Sequence, residues 1–147
     1  MYYQKIVLIL LSNASKIERE VISVYRVVVA GCRGYTDYKQ AEQFINESLG
    51  DRSPATLVFL SGGCRGADML GERYAVEHGI SVEQYLPNWR RYGRGAGVKR
   101  NREMVDSCDE VICFWDGTSR GTKSLIDYAH RMGKPVRIKR ISSQPSL

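Results

Sequence analysis

From Tyr25 onward the chain alternates short runs rich in β-branched residues with stretches of helical periodicity. That rhythm constrains the fold more than any other feature. The strand candidates are Tyr25–Ala30, Ala55–Leu60, Ser81–Leu86, Glu110–Phe114 and Pro135–Ile141. The first, second and fourth are almost continuously apolar, as strands buried on both faces are. Between the strands the spacing predicts helices over Tyr38–Leu49, Ala67–His78, Arg100–Cys108 and Gly121–Met132. Gly50, Gly79 and Gly133 sit just past three of these, where a left-handed terminating residue is wanted. Repetition of strand, helix and strand calls for an α/β protein. Its parallel sheet of about five strands would be flanked by helices and joined by right-handed crossovers.

Residues 1–24 stand outside the rhythm. Val7, Leu10, Leu11, Ala14, Ile17 and Val21 fit a helical stripe, so an amphipathic N-terminal helix is the first expectation. An extra strand from Tyr3 to Leu11 is the alternative. Either would dock on the sheet or on a second subunit, which leaves a homodimer open. The 147 residues suffice for one domain with a sizeable core. The expected division is an N-terminal extension over 1–24, a single domain over 25–141 and a flexible tail over 142–147.

Charge narrows the partners. The formal net charge is +6 and unevenly spread. Arg90, Arg91, Arg94, Lys99, Arg100 and Arg102 lie within Leu86–Arg102, which holds no acid. The chain after Asp127 also lacks acids and carries Arg131, Lys134, Arg137, Lys139 and Arg140. Such local potential favours a nucleotide, a nucleic acid or an acidic surface, although a solvated basic face is the plainer account. Cys32, Cys64, Cys108 and Cys113 form no CxxC pair, and two histidines do not complete an evident metal set. They read as reduced thiols acting as small residues, with no metal expected. The opening MYYQKIVLILLSNAS has too short an apolar core for a signal peptide, and no run approaches membrane-spanning length. The expectation is a soluble cytoplasmic protein with no membrane partner.

In a parallel sheet every strand-to-helix turn emerges at the carboxyl edge, beside helix N-termini with unpaired N–H groups and partial positive charge. The unusual residues concentrate in those turns: Gly31–Asp37, Ser61–Asp68, Pro87–Asn101 and Trp115–Thr122. Ser61, Gly62 and Gly63 would bring backbone N–H groups close to phosphate oxygens, since no glycine Cβ intervenes. Ser119 and Thr122 offer hydroxyls at the start of the last helix. Arg33, Arg65 and Arg100 are candidates for bidentate phosphate contacts. Asp37, Asp68 and Asp116 would accept from ribose hydroxyls, or equally cap helices and fix the arginines. Trp89 and Trp115 are candidates for stacking on a base, though indoles are as often core. For any one loop a tight turn with a helix cap explains the residues as well. Four on one edge favour a small-molecule pocket. No GxxxxGK[ST] occurs, and SGGCRGAD is GGxxG rather than GxGxxG, so neither a P-loop nor an ordinary dinucleotide site is indicated.

Taken together, GCRGYTD, SGGCRGADMLGERYA, PNWRRYGRGAGVKRNREM and FWDGTSRGTKSLIDYA resemble the YspA/cpYpsA-related branch of the SLOG superfamily, from about Val27 to Val136. The superfamily also holds the DprA/Smf proteins and the Lonely Guy phosphoribohydrolases. The resemblance implies a Rossmann-like sheet whose glycine-rich turns bind a nucleotide or nucleotide-derived ligand. It further implies a sensor or processor of such ligands in phage conflict or nucleotide signalling. Carried over by motif, the ligand-binding residues are Gly31, Arg33 and Asp37 from the first turn. The second turn adds Ser61, Gly62, Gly63, Gly66 and Asp68. Trp89, Arg100, Asn101 and Met104 come from the third, and Trp115, Asp116, Ser119, Gly121 and Thr122 from the fourth.

Lonely Guy enzymes cleave the N-glycosidic bond of nucleoside monophosphates with an RKxxM arginine and a glutamate two places after a GT pair. Arg100 stands four residues before Met104, as that arginine should, but Ser124 follows Gly121-Thr122 where the glutamate belongs. A serine hydroxyl cannot stabilise an oxocarbenium-like centre or activate water as a carboxylate does. The first reading is therefore a nucleotide-ligand sensor. The second is an N-glycosidase in which Arg100 holds phosphate and Asp116 or Asp68 handles protons. A third is DprA-like single-stranded nucleic acid binding through the basic segment and its aromatics, Trp89 and Tyr92.

Overall fold

The computed structural model describes residues 7–10 and 19–143. Strands β1 (Val7–Leu10) and β2 (Arg19–Ile22) pair antiparallel, with Val7 opposite Ile22. The helical stripe expected through Val7, Leu10 and Val21 is thus overturned, and the alternative of a strand holds at Val7–Leu10. Both segments carry β-branched residues, which suit a ladder better than a helix. Leu11, Ala14 and Ile17 lie outside the described residues.

The main sheet holds β3 (Tyr25–Gly31), β4 (Leu57–Ser61), β5 (Ser81–Gln84), β6 (Glu110–Trp115) and β7 (Val136–Arg140). All neighbours are parallel, in the order β5-β4-β3-β6-β7. Helices α1 (Tyr38–Leu49), α2 (Ala67–His78), α3 (Trp89–Tyr92), α4 (Ala96–Asp106) and α5 (Arg120–Arg131) complete the fold. This is the Rossmann-like α/β sheet expected from the rhythm of the sequence.

Both faces of the sheet are covered, and β3 shows why Val27–Ala30 are continuously apolar. Val27 and Val29 point to one core with Ala41 and Ile45 of α1 and Tyr74 and Ala75 of α2. Val28 and Ala30 point to the other, against Met104 and Val105 of α4 and Leu125, Ile126 and Ala129 of α5. Burial on two sides leaves no position from Val27 to Ala30 for a polar residue.

Several boundaries differ from expectation, three of them in ways that matter to the fold. Pro54–Thr56 form a 3-10 turn before β4, since Pro54 fixes its own φ and has no N–H for a ladder. Strand β5 ends at Gln84, before Tyr85 and Leu86. Helix α4 begins four residues earlier than the periodicity suggested, and α3 precedes it. Gly93, Gly95 and Gly97 made this stretch read as loop, yet Ala96 is buried and anchors the first turn.

Asp37 caps α1, accepting from the Gln40 N–H at 3.1 Å. Asp37→Ala is expected to cost about 1 kcal/mol in urea denaturation. No helix among the described residues is long and apolar enough to cross a membrane.

Candidate functional site

After β5 the chain crosses back over the sheet to place β6 on the other side of β3. The carboxyl ends of β3 and β6 therefore flank a topological switch point, where open α/β sheets form a crevice. A cavity of about 850 Å³ lies there. Three strand-to-helix connections and helix α4 reach its wall.

The first two turns are stitched together by backbone. The Ala67 N–H donates to the Cys32 carbonyl at 3.1 Å, which draws Gly66 against the Cys32–Arg33 peptide. Gly66 has φ 81, and a Cβ would collide with the carbonyl oxygens of Cys32 and Arg33. Glycine is required here for close approach. The same stitching sets the N-terminus of α2 into the wall. Gly31, Arg33, Arg65, Gly66 and Asp68 all line the cavity. The Arg33 and Arg65 side chains are exposed and make no hydrogen bond among the described residues.

From the third predicted turn only Arg100 and Asn101 reach the wall, joined by Met104, and all three stand on α4. Arg100 is only 7% exposed, and its donors are largely used within the protein. Nη1 donates to the carbonyls of Gly62 (2.5 Å) and Tyr85 (3.2 Å), and Nε donates to Asn101 Oδ1 at 2.8 Å. Nη2 points at Cys64 Sγ, 3.7 Å away. Arg100 is a clamp on the second turn, with little left over for a phosphate.

Asp116, Ser119, Gly121 and Thr122 come from the fourth connection. Asp116 Oδ1 accepts the N–H groups of Thr118 (2.8 Å) and Ser119 (2.9 Å), which hold its carboxyl below the usual range. Ser119 caps α5, and its hydroxyl donates to Thr122 Oγ1 at 3.1 Å. Asp116 is therefore an ordering group with a stabilised charge, poorly suited to carry a proton.

Asp68 is the contrasting acid. It is 6% exposed in the first turn of α2, and Oδ2 accepts from the Cys64 N–H at 3.2 Å. Burial raises its pKa to about 6, against the lowering effects of the Cys64 N–H, Arg100 and Arg33. Burial likewise raises the Cys32 thiol, which lines the same wall.

Six residues expected at the site do not line the cavity. Asp37 caps α1. Ser61 is buried and its hydroxyl accepts from the Gly63 N–H at 3.1 Å. The space beside Gly62 is filled by Arg100 and Asp68, whose atoms a Cβ would meet at 2.7 and 2.9 Å. Trp89 is 55% exposed outside the wall. Trp115 packs against both cores and donates from Nε1 to the Ser119 carbonyl at 3.1 Å. Conversely, Ala30, Cys32, Gly34, Thr36, Cys64 and Leu125 line the cavity without having been singled out. Leu125 was legible as the position four after Gly121 on α5; the small residues carry no chemical signal of their own.

Comparison with known proteins agrees with this architecture. A sequence model of the YspA, cpYpsA-related SLOG family matches residues 25–92. The Gene 61 protein of Mycobacterium phage D29 is 36% identical over 117 residues, covering 76% of this chain and 93% of that protein. DNA processing protein A from Streptococcus pneumoniae shares the fold, with a TM-score of 0.64 at 19% identity over 78% of this chain. The Helicobacter pylori protein of the same name, described in a single-stranded DNA binding mode, gives 0.60 at 19% identity over 78%. The chain spans 50% and 64% of those two structures. TM1055 gives 0.57 at 21% identity, over 77% of this chain and 72% of that one. The phage relative extends across nearly its whole length, and the family match covers the two glycine turns that build the cavity: the chain belongs to the YspA/cpYpsA-related SLOG family.

Proposed function

We propose that the chain binds a nucleotide or nucleotide-derived phosphate ligand in the cavity at the carboxyl edge of the sheet, as a ligand sensor. The observation that carries this reading is the meeting of three strand-to-helix connections and helix α4 around one hollow at the switch point. The N-termini of α2 and α5 open onto it, and the unengaged guanidinium groups of Arg33 and Arg65 stand at its wall. Both features favour an anion. Sensing is favoured over turnover because Asp116 is committed to its own loop and Ser124 is exposed on α5, off the cavity wall.

A thermal-shift screen with nucleotides, ADP-ribose and cyclic dinucleotides tests it. A ligand at a hundred times its dissociation constant should add about 2.7 kcal/mol of stability. Replacing Arg33 and Arg65 together with alanine should weaken a hit at least about tenfold while leaving the unliganded melting temperature in place. An unchanged affinity would remove those arginines from the site. Turnover of any hit would replace the sensor with an N-glycosidase, for which Asp68 is the acid to examine.

A second reading, single-stranded nucleic acid, is favoured by the exposure of Trp89 and Tyr92 within the acid-free basic segment. The fold likeness to the Helicobacter pylori protein points the same way. Salt separates the two. Binding along a strand should weaken with a log–log slope of about −0.7 per phosphate contacted, whereas a pocketed nucleotide should respond far less.

A further inference from the structure

Asp68 is an unusual group to find in the wall of a cavity suited to anions. An ionised carboxylate beside the N-terminus of α2 would compete with a bound phosphate for the same N–H groups. It would also repel the phosphate. Yet the side chain is nine-tenths buried and aimed at the cavity, and it makes no salt bridge with Arg100, whose donors go to Gly62, Tyr85 and Asn101. Its single hydrogen bond uses Oδ2. Oδ1 takes no donor among the described residues and stays accessible.

Every packed element contributes to its surroundings. Arg33 faces it from the turn after β3, and the Cys64 N–H from the turn after β4. Arg100 of α4 adds a second positive charge, and Glu72, one turn along α2, a negative one. Cys113 on β6 is near enough to feel its charge and is itself pushed strongly toward the neutral thiol by burial. Neither cation makes a salt bridge with the carboxyl, and burial outweighs their pull toward its charged form.

We infer that the cavity takes up its anionic ligand together with one proton from solvent, held on Asp68 Oδ1, which then donates a hydrogen bond to a ligand oxygen. This rests on the nucleotide reading above and adds its regulation. The neutral acid turns a repulsive group into a donor, and the Cys64 N–H bond to Oδ2 keeps it oriented. The unliganded carboxyl, already raised to about 6, lies close enough to neutrality for a nearby phosphate to complete the shift. Ligand affinity then falls as pH rises.

The test is calorimetric titration of the full chain with ADP-ribose and with cyclic di-AMP. Neither the pyrophosphate bridge of ADP-ribose nor the phosphodiesters of cyclic di-AMP change charge between pH 6.5 and 8. The dissociation constant should rise about tenfold per pH unit across that range. At pH 7, binding heats in buffers of different ionisation enthalpy should report uptake of close to one proton. Asp68→Asn, which keeps an acceptor for Cys64 and a permanent donor for the ligand, should bind with no pH dependence and no proton uptake. Binding by the wild type with the same affinity at both pH values would overturn the inference while leaving the nucleotide reading intact. Failure of both probes to bind at either pH would remove that reading and this inference with it.

Discussion

Gly66→Ala is expected to destabilise the protein by more than about 4 kcal/mol, read as a collapse of the urea midpoint or loss of soluble protein. Two costs combine. Gly66 has φ 81 at the entry to α2, a region that an L side chain rarely adopts. Its Cβ would also fall onto the carbonyls of Cys32 and Arg33, which belong to backbone and cannot swing away. Relief would require separating the first turn from the second and breaking the Ala67 to Cys32 hydrogen bond. Gly121→Ala is the control. A Cβ there meets nothing, so the change should be neutral or stabilise by up to about 1 kcal/mol. Equal effects at the two positions would show that the turns are not held together as described.

Asp68→Asn should convert a pH-dependent stability into a flatter one. The folded carboxyl is raised from 3.8 to about 6, chiefly by burial. Below the unfolded value both states hold the proton, and the contribution of the group is fully present. As pH rises through the folded value, the unfolded chain has already released its proton and the contribution is lost. The interval corresponds to about 3 kcal/mol at its upper end. Relative to wild type, the variant should gain up to that amount between pH 4 and pH 8 in denaturant titrations, because its amide keeps an acceptor for Cys64 without a charge to bury. Parallel stability profiles would mean that Asp68 is better solvated than its 6% exposure indicates.

The aspartates and tryptophans illustrate where linear reading stops. Asp37, Asp68 and Asp116 look alike in sequence, each close to a helix start. In the fold the first caps α1, the second is a buried carboxyl and the third is a half-buried loop organiser. Their chemistry differs because solvation and donors differ, and both depend on what the rest of the chain packs around them. Trp115 looked like a stacking surface and became packing between two cores, since its side of β6 was already taken by neighbouring helices. Arg100 looked like a phosphate ligand and became a clamp on Gly62, because the crossover from β5 brings α4 against the second turn.

The sequence by itself determined the sheet and its handedness. Continuous apolar runs spaced by helices admit few other arrangements, and the connections then carry every glycine-rich turn to one edge. Only the tertiary structure decided which side chains in those turns face the hollow and which are consumed in holding it open. Strand and helix periods are local properties of the backbone. The direction of a loop side chain, and the charge it can keep, are settled by contacts between segments as far apart as Arg26 and Asp109, 83 residues along the chain.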